Sequence, residues 1–550
     1  MDRKYRCLVV QLGTGAQVVQ SLMALKAVQQ LYPQVEYHFL VDDSHADAPL
    51  AISWLSQVHL FPKKDFLAEK DRRVAQIARW LSPFADQGWD FVFNWSTTET
   101  SSYLTTIIPS LIKYGLMRNK DLTSFMPDGW TQYRVGVVNE NASQNIHLTD
   151  LLTTQMLTAF QIHLGDPENA GNQVVTSKNF FDSIANLSRV ESQITVQIDG
   201  YEKELAKFSR YVLQKDPALT IRILSRNDSI EVEEQFFEDL LSSSFDGTLL
   251  ERVQFKRKTS DFDRLSQELS SAEWLISGDP EGVQIASVLG TRCLFIAGSL
   301  PGLYRNGPYG NGHWIIQSNE PITGADIYSA FSYILEPSAE AKSQFENINL
   351  MSSSVRSPDM GGGATYQSVN RGALTTQAWF SKTCGQIARQ WYCGWTPPMD
   401  QEFNREQLSP ELVKELRESA DSLKVLSQIY DEAYRTAGRL QQKSQRLKSE
   451  KLMSLEERDQ IQKLGAKLKE LDMLSDRMGR VKPMLTIFPN MLKVMMHNVQ
   501  GTTISQMAIE AQENYKMLQD GAKTMSDMVA HALSLSKPVA VKTRPLTLVK

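Results

Sequence analysis

Residues 5–43 read YRCLVVQLGTGAQVVQSLMALKAVQQLYPQVEYHFLVDD, and the fold follows from how this stretch is read. Residues 7–11 form a short apolar run, as expected of a strand covered on both faces in a parallel sheet. Gly13-Thr14-Gly15 is a turn with two residues free of Cβ strain. Val18, Leu22, Leu25, Val28 and Leu31 then line one face of a helix. Pro33 stops that helix. Residues 35–41 make a second strand, which Asp42-Asp43 closes. The chain therefore opens on a βαβ unit whose Gly-containing turn meets a helix N-terminus. Free N–H groups there favour an anion. The same residues also read as a plain strand-to-helix turn, because Val18 stands where the dinucleotide fingerprint has its third Gly.

A chain of 550 residues is too long for one core, and two to four domains are expected. A net charge of −5 gives no general pull toward nucleic acid. Cys7, Cys293, Cys384 and Cys393 are scattered with no C-x-x-C pair. Neither a zinc site nor a disulfide framework is expected, and a reducing compartment fits. The opening apolar run is too short for a secretory signal, and no window reaches membrane-span length. The expectation is a cytoplasmic protein, with a location peripheral to the inner membrane left open.

Residues 1–175 read as a first Rossmann-like α/β domain. They carry strands at 58–61 and 89–94, a helix at 67–81, a polar loop at 95–100 and helices at 101–113 and 151–163. Residues 176–345 read as a second. It has a helix at 177–187, a strand or the crossover between the halves at 191–198, a helix at 203–214, a strand at 219–224, a helix at 232–241 and a strand ending at Asp279. A turn and helix at 280–290 and a strand at 292–297 follow. Residues 346–408 read as a linker and packing helix. Residues 351–371 are rich in Ser and Gly and expected to be flexible. A helix at 377–390 ends in the aromatic cluster Trp391-Tyr392-Cys393-Gly394-Trp395, read as packing, with a sugar-stacking platform as the alternative.

Residues 409–537 change to long helices. Leu412, Leu426, Ala433, Leu440 and Leu447 recur at heptad spacing, interleaved with Leu416, Leu423, Tyr430 and Ala437. Ser454-Leu455-Glu456-Glu457 is a capping box that opens a second helix with the seam Ile461, Leu464, Leu468, Leu471 and Met478. Breaks at Pro483, Pro489 and Gly501 precede a third segment with Ile504, Met507, Ala511, Leu518, Met525, Met528 and Ala532. The first two seams can satisfy each other in an antiparallel hairpin. The Met-rich faces after Pro483 would then be free for self-association or a protein partner. Residues 538–550 read as a disordered basic tail.

Three features together resemble glycosyltransferase family 9, the ADP-heptose:lipopolysaccharide heptosyltransferases and their relatives. The first is the opening unit with Leu22-Met23-Ala24-Leu25-Lys26 and Tyr32-Pro33. The second is the strand and Asn-containing loop at 89–100. The third is Asp279 to Gly290-Thr291 followed by Gly307-Pro308-Tyr309-Gly310. The resemblance spans residues 5–320 and implies an inverting, GT-B-like pair of Rossmann-type domains followed here by the helical region. It implies a nucleotide sugar on the second domain, at Asp279, Glu281, Gly282, Gln284, Ser299, Tyr309 and Gly310. An acceptor (glycan, lipid-linked or protein) is implied on the first, at Thr14, Gly15, Asn94, Thr97 and His147. His147 is otherwise a surface or capping residue. The family's general-base Asp aligns with Gln17, and Glu99 or Asp43 is then the nearest carboxylate for that role. Pro280, Glu281 and Gln284 replace the family's Thr, Gly and His. No cofactor or metal is implied. The alternative reading is a catalytically silent scaffold that acts through its helical arm.

Overall fold

The computed structural model describes residues 4–63, 73–138, 146–166, 193–241, 247–259, 261–297, 302–318, 320–338, 348–356, 363–369, 376–393, 410–447, 454–482 and 485–535. The chain divides into two compact units, Met1–Arg371 and Gly372–Lys550.

The first unit holds two sheets. One contains β1 (Tyr5–Gln11), β2 (Val35–Asp42), β3 (Gln57–Phe61), β4 (Trp89–Asn94) and β5 (Ser110–Gly115) in the order β3-β2-β1-β4-β5. All four pairings are parallel. β1 lies at the centre, with Val10 opposite both Leu40 and Asn94. Its residues Cys7 to Val10 are wholly buried, as a parallel strand with both faces covered requires. The helix Gly15–Leu31 returns the chain to β2. A two-residue pair, β6 (Met117–Arg118) and β7 (Ser124–Phe125), follows β5.

The second sheet begins with β8 (Gln193–Gln197), β9 (Thr220–Leu224), β10 (Val253–Lys256), β11 (Trp274–Ser277), β12 (Arg292–Ala297) and β13 (Trp314–Gln317). β14 (Asn349–Arg356) and β15 (Gly363–Ser368) complete it. The order is β10-β9-β8-β11-β12-β13-β14-β15. The first six strands are parallel and take the dinucleotide-binding order, reversing direction of progress between β8 and β11. This is the expected GT-B-like pair of Rossmann-type halves, followed by a long helical region.

Two expectations change. The helix expected at 101–113 is Glu99–Ile107, and Ser110–Gly115 is instead the edge strand β5. Pro109 is the reason, since the residue before a proline is driven out of the helical region, and Ile108 has φ −62° and ψ 119°. The Ser/Gly-rich stretch expected to be a linker supplies β14 and β15, antiparallel to each other and with β14 antiparallel to β13. Leu350 is fully buried, so a few apolar residues on one face sufficed to place the hairpin. The helices expected at 67–81 and 177–187 lie wholly or partly outside the described residues; Arg73–Ala85 is helical.

The second unit is helical. The helix Thr376–Cys393 buries Trp379, Cys384 and Ile387. Trp391 packs edge-on to Phe488, with ring centroids 6.1 Å apart. Long helices run over Pro410–Leu447, Leu455–Val481 and Ile504–Leu535, with Ile487–His497 between the last two. Pro489 falls in the first turn of that short helix, where its missing N–H is tolerated. Pairings of Glu418 with Lys482 and Tyr430 with Ser475 make the first two long helices antiparallel. Asp431 with Gln519 and Gly438 against Gln512 do the same for the first and third.

The expectation of a self-sufficient hairpin with Met-rich faces left over is overturned. Met491, Met495, Met525 and Met528 are buried. The third long helix is the main partner of the first, presenting Ala508, Ala511, Tyr515, Leu518, Ala522, Met525, Val529 and Ala532. Ile504 and Met507, expected on that seam, are 45% and 46% exposed. A stripe with period 3.6 drifts relative to a strict seven-residue repeat, which shifts the face at its start. No described helix is long and apolar enough to cross a membrane.

β14 covers the edge of β13, whose Ile315 and Ile316 are buried. A chain ending at residue 345 exposes that edge and is expected to aggregate. One ending at residue 371 is expected to unfold cooperatively. Equal solubility and equal denaturant midpoints for the two would contradict the placement of β14 and β15.

Candidate functional site

In each half of the first unit the candidate residues follow the carboxyl ends of parallel strands, where strand order reverses. Open α/β sheets place ligands there because the diverging loops leave a crevice. In the first half these are the loops after β1 and β4. In the second they are the loops after β8, β9 and β11.

The turn after β1 is tied down by its own side chains. Gln11 is buried; its Nε2 donates to Ser21 Oγ (2.8 Å) and to the Trp95 carbonyl (3.2 Å), and its Oε1 accepts from Gly13 N (3.1 Å). Gln17 Oε1 accepts from Thr14 N at 3.2 Å. That side chain crosses the position a Cβ on Gly13 would take, so a larger residue there would displace the Gln17 amide. Gln17 thus caps its own helix, and its amide has no useful basicity. Thr14 is exposed and Gly15 buried.

The loop after β4 is turned inward. Asn94 is buried, donates to the Leu116 carbonyl (2.7 Å) and accepts from Ser96 N (3.0 Å). Buried Arg134 donates to the carbonyls of Asn94, Trp95 and Ser96. Burial lowers its pKa to about 10, so the guanidinium stays charged. Thr97 is exposed. Glu99 is also exposed and pairs with Arg118 at 3.4 Å. Asp43 opens a short 3-10 turn after β2.

In the second half Asp279 is the N-cap of the helix Pro280–Leu289. Its Oδ2 accepts from Gly282 N (2.9 Å), Gln197 Nε2 (2.7 Å) and Arg226 (2.7 Å). The same guanidinium nitrogen donates to Glu281 Oε2 at 2.9 Å. Asp199 accepts from Arg226 N at 3.1 Å. Two carboxylates therefore share one guanidinium nitrogen, and a third takes the backbone N–H of the same arginine. Burial, and then the Asp279 charge, push the Asp199 carboxyl above its ordinary range. Burial pulls Arg226 down, but Asp279 and Glu281 more than offset that and leave it above its ordinary value.

The halves meet at this point. Glu281 lies against Gly15, so that a Cβ on Gly15 would overlap its carboxylate. Gln20 Nε2 donates to the Arg305 carbonyl (2.7 Å). Gln284 Nε2 donates to the carbonyls of Asn306 (3.0 Å) and Gly307 (2.7 Å). His147 is buried as the N-cap of the helix Leu148–Leu164, and its Nδ1 accepts from Thr149 N. Its Nε2 meets the Gly307 carbonyl at 3.0 Å, and a carbonyl only accepts, so the proton sits on Nε2. Tyr309 stacks on His147 at 5.0 Å and donates to Asp150 Oδ1 at 2.7 Å, and Asp150 Oδ2 accepts from Ala364 N. Gly310 at φ 148° accepts from Ser353 Oγ.

The structure thus brings together Gly15, Glu281, Asp279 and Gly282, and separately His147, Gln284 and Tyr309 around Gly307. It does not bring Thr97 or Glu99 to either cluster through any contact. Ser299 lies outside the described residues. His147 takes the capping role and is buried, not on the surface. The sequence reading passed over Gln197, Asp199 and Arg226. Their positions just past β8 and β9 were a signal, although no local motif marks them. Among the described residues no His/Cys/Asp/Glu group has a metal-binding arrangement.

Buried His147 and His313 are held neutral. Burial lowers both, His313 to about 4 against an ordinary 6.5. A folded-state pKa below the unfolded one means stability that is complete above pH 6.5 and lost as pH falls toward 4. The slope is about 1.4 kcal/mol per pH unit for each imidazole. Urea unfolding between pH 7 and pH 5 should show the loss, with a smaller slope in His313→Gln. An unchanged slope would contradict the assignment.

No family model matches the chain, and no curated protein does. Among solved structures the chain is similar to E. coli heptosyltransferase WaaC with ADP, at 15% identity over 60% of this chain and 99% of that one, TM-score 0.44. It is also similar to a glycosyl transferase family 9 structure from Veillonella parvula, at 13% identity over 57% and 86%, TM-score 0.40. The UDP-GlcNAc 2-epimerase of Neisseria meningitidis bound to UDP-GlcNAc is similar at 14% identity over 62% and 94%, TM-score 0.34.

Proposed function

We propose that the chain is a glycosyltransferase-family protein that takes a nucleotide sugar on the second half of its first unit. It transfers the sugar with inversion to a glycan, lipid-linked or protein acceptor on the first half. The observation that carries this reading is the meeting of two strand-to-helix turns, at Gly15 and at Asp279–Gly282, each past the carboxyl ends of a parallel sheet. In this reading Asp279, Gly282, Gln284, Ser299, Tyr309 and Gly310 surround the donor, with Glu281 at its diphosphate. Thr14, Gly15, Asn94, Thr97 and His147 surround the acceptor. The acceptor hydroxyl attacks the anomeric carbon opposite the leaving nucleoside diphosphate. The positive end of the helix Pro280–Leu289 stabilises the charge that leaves. Gln17 cannot take the hydroxyl proton, so Glu99 is the carboxylate assigned to that task. The free, buried thiols of Cys7 and Cys293 support a reducing compartment such as the cytoplasm.

A specific observation favours a second reading, a catalytically silent scaffold. Gln17 is engaged with Thr14 N and Glu99 with Arg118, which leaves the first wall without a placed base. Calorimetry with ADP-, UDP- and GDP-sugars on the full chain and on Glu281→Gly separates these cases. The expected result is a preference for one nucleotide, binding at least tenfold tighter in the variant, and release of nucleoside diphosphate when acceptor glycans are added. Binding without release identifies the scaffold. No binding to either protein rejects the donor site altogether.

Residues 409–537 serve assembly in either reading. With Met491, Met495, Met525 and Met528 buried, the exposed apolar side chains on the helix Leu455–Val481 are Leu455, Met473, Leu474 and Val481. Light scattering on the full chain and on Met473→Glu/Val481→Glu should show an oligomer and its loss. A monomer in both would remove the self-association part of the reading.

A further inference from the structure

We infer that Glu281 is a built-in occupant of the donor's anion position, and that Arg226 is the group that passes from Glu281 to the diphosphate when a donor binds. The inference rests on the nucleotide-sugar reading above only in naming the donor; the geometry stands without it.

The Glu281 carboxylate has two partners. Arg226 donates to it at 2.9 Å, and the backbone at Gly15, the first residue of a 17-residue helix, lies directly against it. A helix N-terminus and a guanidinium are the two groups that hold phosphate oxygens in proteins. Here a side-chain carboxylate fills the place between them. Gly15 makes that possible, since any Cβ would collide with the carboxylate.

The guanidinium is also underused. One terminal nitrogen carries the contacts to both Asp279 and Glu281, while its Nε is buried with no partner. A planar fork with five N–H donors meets a diphosphate with several oxygens at once, so exchange of one carboxylate for a diphosphate completes the fork. Asp279 stays in place, because Gly282 N and Gln197 hold it independently of Arg226. Glu281 has no such second anchor within its own half. It is the carboxylate free to leave, and its departure also removes the contact that joins the two halves at Gly15.

The test is calorimetry of the full chain with inorganic pyrophosphate, on wild type, Glu281→Gln, Arg226→Met and the double variant. Glu281→Gln is expected to bind at least tenfold tighter than wild type, and Arg226→Met at least tenfold weaker. The double variant should be no tighter than Arg226→Met alone. Arg226→Lys, which keeps the charge without the fork, should fall between wild type and Arg226→Met and guards against a folding defect in the latter. Unchanged affinity in Glu281→Gln, or a double variant as tight as Glu281→Gln, overturns the inference. Nucleotide sugars in the same series separate the two readings. If they bind equally well to all four proteins, the donor reading stands and the exchange is refuted. If Glu281→Gln takes pyrophosphate through Arg226 but binds no nucleotide sugar more tightly, the exchange stands and the donor reading falls.

Discussion

The meeting of two strand-to-helix turns, where Glu281 lies against Gly15, is the interaction around which the candidate site of the first unit is arranged. It brings a carboxylate to the positive end of the helix Gly15–Leu31 and holds it there with Arg226. Each half could build its own sheet without this contact. A side chain at position 15 would displace the Glu281 carboxylate from its place beside Arg226. Around it, Gln20, His147 and Gln284 each donate to a backbone carbonyl of the segment from Arg305 to Gly307. These are uncharged hydrogen bonds, each contributing about 1 kcal/mol net. Those from Gln20 and His147 cross between the halves and add register to their interface, while that from Gln284 holds the segment within its own half.

That arrangement gives polar residues a structural use wherever a catalytic one was expected. Gln17 caps a helix, Asn94 closes its own loop, and His147 caps one helix while bracing the other half. Each is buried or partly buried, and buried polar groups must find partners or lose stability. A side chain with its hydrogen bonds satisfied inside the protein is less available to a ligand. The Arg226 cluster is the exception. Asp279 and Glu281 share one guanidinium there, Asp199 takes the backbone N–H of the same residue, and the guanidinium Nε lacks a partner.

The helical unit shows the same logic applied to apolar surface. Tyr430 and Tyr515 are fully buried, and their hydroxyls reach Ser475 and Asp472, both at 2.7 Å. Burial raises the Asp472 carboxyl above its ordinary range. A polar layer in an otherwise apolar bundle fixes which turn of one helix faces which turn of the next, because any slip would strand those groups. Flexible methionine side chains fill the space around it.

Local pattern by itself determined most of the elements. The apolar run at 7–10, the stop at Pro33, the strands 89–94 and 292–297 and the capping box at Ser454 are all where periodicity and cap chemistry put them. These signals are short-range, so nearest neighbours suffice to set them. Tertiary structure decided the rest. The Ser/Gly-rich residues 349–368 have little strand propensity of their own and become strands because β13 offers an unpaired edge. The second Met-rich face chose the first long helix over solvent, which no heptad count on one helix can reveal. Arg226 lies some fifty residues from Asp279 and Glu281 in sequence, and only the parallel order β9-β8-β11 brings their loops together. Charge pairing across strands is a property of sheet topology, and so the cluster at the centre of the candidate site was the part that sequence spacing could not show.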